Sequence, residues 1–249
     1  MDNTTKFDGK AEFYAKSRAS YAPALFEYIE GMLEDEDFSI FADIGSGTGI
    51  FTEQLLMCGH YVYAVEPNKD MREIAEERLD EYDGFCSVDG TDVNTNLKND
   101  SVDHITVAQA FHWFDMDAFK KECRRILRKD GKVIIVYNTR DDAAPCNKAL
   151  IELSQKYCPK FKNTKGTNDE KCREFFVGGY DTFRADNSQS YDREGYINRV
   201  LSSSYSLREG EEGYEEYIKA VNNLFDTYSK DGVLTVPTYT LAYVGGVGK

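Results

Sequence analysis

The chain has 249 residues, 41% hydrophobic and 13% aromatic, enough to bury a substantial core, so general disorder is excluded. With 30 basic residues against 44 acidic ones the net charge is −14; such a surface repels phosphate backbones and anionic lipid, so no nucleic-acid and no membrane partner is expected. No apolar run reaches the roughly 18 residues of a spanning helix, Met1–Lys10 has no signal-peptide core, and the six cysteines hold no C-x-x-C pair, which reads as a cytoplasmic chain with reduced thiols.

Ser39–Ile44 is a short apolar run that predicts a first strand ending in glycines. Ile50–Cys58 carries Phe51, Leu55 and Leu56 at helical spacing, and Gly59 is a natural stop. Tyr61–Glu66, rich in aromatic and β-branched residues, predicts a second strand. Asn68 then stands where it can cap a helix whose Met71, Ile74, Ala75 and Leu79 share one face. Gly84–Asp89, Val102–Ala108 and Lys132–Tyr137 predict strands three to five, with a helix over Asp117–Arg128 between the last two. Beyond Thr139 come a helix marked by Ala149, Leu150, Leu153 and Tyr157, a polar loop over Lys160–Lys171, and a strand over Tyr180–Ala185. Helices over Arg193–Leu201 and Tyr214–Tyr228 and one last strand over Val233–Tyr243 close the chain. Strand–helix alternation with short loops predicts a parallel α/β sheet, whose ligand lies beyond the carboxyl ends of the strands.

Asp43-Ile44-Gly45-Ser46-Gly47-Thr48-Gly49 joins the first strand to the first helix of this pattern. Glycines allow positive φ and close approach of a ligand to the backbone, and the helix start offers free N–H groups. The spacing is G-x-G-x-G, and Ile50 occupies the place where a dinucleotide fingerprint has its third glycine. Asp43 ends the first strand, where an acid can accept hydrogen bonds from a cationic or hydroxylated ligand; Glu66 ends the second, where a carboxylate can receive both ribose hydroxyls. Together they point to a nucleoside ligand whose middle part is not a pyrophosphate.

On these residues the chain resembles the class I S-adenosylmethionine-dependent methyltransferases, in the broad group that includes ubiquinone-biosynthesis and trans-aconitate methyltransferases. Asp43–Gly49 matches the first family motif, and Glu66, followed by Pro67, matches the ribose-binding acid. Val88-Asp89-Gly90-Thr91-Asp92 matches the segment that meets adenine, with Asp92-Val93 where the family usually has Ala-Glu. Val107–Phe114 matches a signature after the fourth strand, and Tyr14-x-x-x-Arg18-Ala19-Ser20-Tyr21 resembles an N-terminal element with Ala19 in place of proline. Leu201–Tyr205 and Tyr239-Thr240 are similar to late features of the same group.

The resemblance implies a Rossmann-like, mostly parallel seven-stranded sheet with helices on both faces and an antiparallel last strand. It implies S-adenosylmethionine as cofactor, bound by the glycine loop (Asp43, Gly45, Ser46, Gly47, Thr48, Gly49), by Glu66 and Pro67, and by Gly90, Thr91 and Asp92. Arg18 would clamp the methionyl carboxylate, with Tyr14 beside it, and Gln109 would meet the methionyl amine or the substrate. His112, whose reference pKa of about 6.5 suits neutral pH, is a candidate general base or a residue stacked on Trp113.

The cationic run from Lys120 to Lys129 reads as the solvated face of a helix, and Glu34–Asp37 as a solvated loop. His60 and His104 show no metal-ligand spacing, so no metal is expected. The expected layout is one methyltransferase domain over 1–249: a lid segment 1–38, a core 39–138, a cap insertion 139–175 and a C-terminal part of the sheet 176–249. The expected activity is methyl transfer to a small-molecule substrate by a monomer or homodimer. A nicotinamide oxidoreductase and a non-catalytic S-adenosylmethionine-binding protein are the alternatives.

Overall fold

The computed structural model describes residues 19–33, 38–162, 167–203 and 205–248. The expected contacts of Tyr14 and Arg18 and the Glu34–Asp37 run lie outside these residues. A short helix α1 (Pro23–Glu30) comes first. β1 (Ile40–Ile44), α2 (Ile50–Met57), β2 (Tyr61–Val65), α3 (Lys69–Leu79), β3 (Phe85–Val88) and β4 (Val102–Ala108) then follow the sequence pattern closely. Asn68 caps α3 as its position suggests, its Oδ1 accepting the Met71 N–H at 3.0 Å. α4 (Met116–Ile126) is capped by Asp115 and passes without a loop into β5 (Leu127–Arg140), which therefore begins at Leu127 and not at Lys132.

The remaining elements are α5 (Pro145–Tyr157), α6 (Thr167–Phe175), β6 (Tyr180–Asp186), β7 (Gln189–Tyr191), α7 (Arg193–Leu201), α8 (Tyr214–Tyr228), β8 (Leu234–Val236) and β9 (Thr238–Gly245). Two sequence expectations are corrected here. The polar stretch ending at Lys171 is half helix, because Cys172 and Phe175 bury one side of α6. The single last strand is two, broken at Pro237, which has no N–H to give to a ladder. Its carbonyl accepts instead from the Asp141 N–H at 3.0 Å and the Asn147 amide at 2.8 Å.

The seven-stranded sheet has the order β3-β2-β1-β4-β5-β9-β6. β1 runs parallel to β2 and β4, β2 to β3 and β4 to β5, and the last strand β9 is antiparallel. The chain proceeds outward from β1 to β3 and then returns to β4 on the other side. The switch point, where such sheets bind ligands, therefore lies between the carboxyl ends of β1 and β4.

Strand alternation divides the sheet residues between two apolar layers. Val133, Ile135 and Tyr137 pack with Phe111, with Phe119, Cys123 and Ile126 of α4, and with Phe175 of α6. Ile134 and Val136 pack with Leu25 and Ile29 of α1, Phe51 and Leu55 of α2 and Leu79 of α3. Each such buried side chain contributes about 1.5–3 kcal/mol, so helices are held on both faces.

The chain divides into two compact units, one from 1–138, 166–185 and 240–249, the other from 139–165 and 186–239. The first contains the sheet. In the second, α5, α7 and α8 enclose Tyr196, Tyr217, Val221 and Phe225, with Leu234 and Val236 from the β7–β8 antiparallel pair. The boundaries thus differ from the expected ones: 167–185 joins the sheet, whereas most of the C-terminal stretch builds a second core.

The cationic run on α4 is less solvated than its sequence suggests. Arg125 grips Glu122 through both carboxylate oxygens (Nε–Oε2 2.8 Å, Nη2–Oε1 2.7 Å) and donates to the Leu97 carbonyl, and Arg124 donates to the Val247 carbonyl at 2.9 Å. Glu122 also accepts from the N–H and hydroxyl of Thr95, which is fully buried. Burial alone would raise the Glu122 pKa, but Arg125 and Thr95 outweigh it and hold the carboxyl at about 2. Because the folded value is depressed, this contribution is present above the ordinary carboxylate range and is lost as pH falls from about 4.5 towards 2. Glu122→Gln should cost about 1.5–3 kcal/mol in urea unfolding at pH 7, and the deficit should shrink progressively below pH 4.5.

Candidate functional site

β1 delivers the glycine loop to the switch point. Gly45 and Ser46 donate to the Val65 carbonyl at 2.8 and 3.2 Å, and Gly49 donates to the Ser46 carbonyl at 3.0 Å before α2 begins. Gly45, Gly47 and Gly49 all have positive φ (72°, 58° and 80°). Their surroundings differ. A Cβ on Gly49 would meet Leu79 Cδ1 at 2.7 Å and Ala75 Cβ at 3.3 Å, so that glycine is required by the packing of the loop on α3. A Cβ on Gly47 would meet only Met71 Sδ, at 3.9 Å, so the protein leaves the space above Gly47 open. The Ser46 and Thr48 hydroxyl oxygens are out of solvent and have no hydrogen-bond partner among the described residues. Buried hydroxyls seldom stay unpaired without a reason.

Glu66 follows β2 and is 7% exposed. Its Oε2 accepts the Gly47 N–H and its Oε1 the Asn68 N–H, both at 2.9 Å. Burial raises its pKa, while those two N–H groups and the Arg72 charge oppose the shift. Arg72 was not singled out by the sequence. It donates to the Glu66 and Pro67 carbonyls at 2.8 and 2.9 Å and pairs with Asp89 at 3.1 Å. Arg78 similarly holds the Thr48 carbonyl at 2.8 Å and Glu53 at 2.7 Å. Both arginines look like ordinary helix-surface charges until α3 is laid against the loops.

Asp43 stands differently from its expected role. It has no exposed surface, and its carboxylate accepts from the Thr52 hydroxyl at 2.7 Å and the Thr106 hydroxyl at 2.9 Å. The side chain therefore ties β1 to α2 and β4 and does not present itself to a ligand. Burial, opposed by the two hydroxyls, lifts its pKa to about 6.

Gly90, Thr91 and Asp92 form the loop after β3, closed by the Thr91 N–H to the Asn94 carbonyl at 2.9 Å. Asp92 accepts the Asp115 N–H at 3.2 Å. Gln109, just past β4, has φ of 59°, uncommon for a residue with a side chain and characteristic of functional sites. Its amide donates to the Asn138 carbonyl at 3.1 Å. Asn138 in turn donates to the Ser20 carbonyl at 3.1 Å and accepts from Thr240 at 2.6 Å, so the ends of β4 and β5 hold the stretch leading into α1. His112 is exposed on a 3-10 turn, Phe111–Trp113, its ring 4.6 Å from Trp113. The structure thus brings Gly47 and Glu66 together directly, links Glu66 through Arg72 to Asp89 beside Gly90, and leaves Asp43 beneath them.

A family model for a methyltransferase domain matches residues 42–135, the stretch that runs from β1 into β5. An uncharacterised methyltransferase of Bacillus cytotoxicus is 31% identical over 165 residues, 61% of this chain and 76% of that protein. An uncharacterised methyltransferase of Mycobacterium tuberculosis is 33% identical over 152 residues, and a methyltransferase-like protein of Schizosaccharomyces pombe 29% over 157. Each match covers 61% of this chain, and the chain spans about 60% of the length of those two relatives. A solved structure of a candidate type II methyltransferase from Anaeromyxobacter dehalogenans aligns with a TM-score of 0.67 over 92% of this chain and 98% of that one; at 18% identity this is a likeness of fold. The chain belongs to the class I S-adenosylmethionine-dependent methyltransferases, and S-adenosylmethionine is the cofactor of that family.

The Asp43 cage has a measurable signature. Its folded pKa, about 6, lies above the ordinary 3.8, so the folded state holds the proton more tightly and stability falls as pH rises between those values. Asp43→Asn removes this term. Urea unfolding of both proteins should show the variant gaining on the natural chain by about 1–3 kcal/mol between pH 4 and 6.5, with a constant difference above.

Proposed function

We propose that this protein transfers a methyl group from S-adenosylmethionine to a small-molecule acceptor, in the group that includes the ubiquinone-biosynthesis and trans-aconitate methyltransferases. The observation that carries the reading is the Glu66 carboxylate turned against the Gly47 N–H. A carboxylate has about four acceptor positions; here one on each oxygen is used by a backbone N–H, which leaves one on each for a vicinal diol. The open side of Gly47 fits the ribose and methionyl parts beside it. The Gly90–Asp92 loop, coupled to Glu66 through Arg72 and Asp89, is the proposed adenine wall. Gln109 is assigned to the methionyl amine or the acceptor. Arg18 and Tyr14 are assigned to the methionyl carboxylate on the resemblance of their motif.

When bound, the cofactor supplies a sulfonium methyl group that is already electrophilic. The chain's own task is then to bind it, aim the acceptor in line and keep water out. His112, exposed on the turn after β4, is assigned to take a proton from an acceptor that must lose one. The net charge of −14 favours a small acceptor over a nucleic acid.

Charged hydrogen bonds of the kind assigned to Glu66 contribute about 1.5–3 kcal/mol, so Glu66→Ala should weaken S-adenosylhomocysteine binding by roughly 10- to 100-fold in calorimetry. Unchanged affinity in a folded variant contradicts the ribose assignment. Screening small carboxylates, phenols and amines for release of S-adenosylhomocysteine identifies the acceptor class.

Gly47→Val fills the open space above the loop. Binding should be abolished while the far-ultraviolet circular dichroism stays close to that of the natural chain; normal cofactor affinity in that variant would reduce the loop to a turn.

A further inference from the structure

The turn that carries His112 and Trp113 is held from a distant part of the chain. Lys171 of α6 donates from Nζ to the Phe111 carbonyl at 2.9 Å and to the Phe114 carbonyl at 2.8 Å, and its ammonium lies 4.8 Å from the centroid of the Phe111 ring. Phe175, one helical turn further on, fixes α6 in the core: it stacks on Phe119 at 5.5 Å and meets Phe111 edge-on at 5.0 Å. The held turn touches both walls of the cofactor site. A Cβ on Gly45 would lie 2.8 Å from Ala110 Cβ and 3.3 Å from Phe114 Cζ, so the glycine loop rests directly on this turn. On the other side, Asp115 gives its N–H to Asp92 of the adenine loop at 3.2 Å.

We propose that Lys171 is a positioning residue for the cofactor site, clamping the Phe111–Phe114 turn so that the glycine loop and the Gly90–Asp92 loop keep their spacing. An ammonium suits the task because it has three donors and no acceptor, and here it satisfies two carbonyls at once. Burial lowers the Lys171 pKa, and the nearby carboxylates of Asp92 and Asp115 oppose that shift. The neutral alternative, an apolar side chain of the same length, would leave both carbonyls without the donor. In its cofactor arm the proposal rests on the methyltransferase reading above.

Trp113 is the only tryptophan of the chain and sits on the clamped turn, so its fluorescence reads the clamp without any ligand or acceptor. In the full chain, Lys171→Met should raise acrylamide quenching of Trp113 and lower its fluorescence anisotropy. It should also weaken S-adenosylhomocysteine binding about 3- to 20-fold in calorimetry. Lys171→Arg, which keeps charge and donors, should restore both readouts. Lys120→Met is the matched control: Lys120 also gives a hydrogen bond to an α6 carbonyl (Glu174, 3.1 Å) and lies over the Phe175 ring, yet does not touch the turn. It should leave both readouts unchanged. Should Lys171→Met fail to fold, Lys171→Gln, with two neutral donors, should fall between the natural chain and complete loss of the clamp.

Unchanged Trp113 quenching in folded Lys171→Met overturns the clamp. Altered quenching with unchanged S-adenosylhomocysteine affinity overturns its role in the cofactor site. Failure of the natural chain to bind S-adenosylhomocysteine would instead sink the methyltransferase reading, and Trp113 quenching would still decide the clamp.

Discussion

The Glu66 carboxylate, almost out of solvent at the end of β2, accepts the backbone N–H groups of Gly47 and Asn68 and so fixes the glycine loop against the start of α3. A carboxylate placed there must be compensated, since burial disfavours its charge. The two N–H groups and Arg72 provide the compensation, and each ties another segment to the same point. Arg72 adds the Pro67 carbonyl and Asp89, so the ends of β2 and β3 move together. The glycine loop, the start of α3 and the end of β3 are thus joined by the protein's own hydrogen bonds and ion pair.

A second buried acid lies beneath the first. Asp43 holds α2 and β4 to β1 through two threonine hydroxyls, at the place where the sheet changes direction. Burial is the main cause of the high Asp43 pKa, and the nearby charge of Glu66 adds to it. Their duties are separated by surroundings alone. Asp43 has both oxygens enclosed, while Glu66 keeps acceptor capacity towards the open side of Gly47.

The Asp92-Val93 pair, where the resemblance led to the expectation of Ala-Glu, does not leave the Gly90–Asp92 loop loose. Thr95 at its far end is locked to Glu122 and, through it, to Arg125; Asp92 is tied to the start of α4 by the Asp115 N–H. Gly90 is confined as well, since a Cβ there would fall 2.8 Å from the Thr95 carbonyl oxygen. Anchors on α4 therefore support this loop at both ends, on the helix that also faces Phe175.

What the sequence by itself determined is everything set by near neighbours. The alternation of β1 to β4 with α2 and α3, the Asn68 cap, the glycine loop and the acid after β2 follow from periodicity, turn chemistry and spacing. These are short-range effects, and they survive in a linear reading. Tertiary structure alone decided which charges do more than meet solvent. In sequence Arg72 and Arg125 are unremarkable helix residues and Lys171 is the end of a polar loop; their carbonyl and carboxylate partners become visible only once distant segments meet, as in the 60-residue separation between Lys171 and Phe111. It decided likewise that Asp43 faces two threonines, since Thr106 arrives on a neighbouring strand. The break at Pro237 and the division of the C-terminal half between two cores belong to the same class. Periodicity states that a segment has an apolar face; only packing selects the surface against which that face is buried.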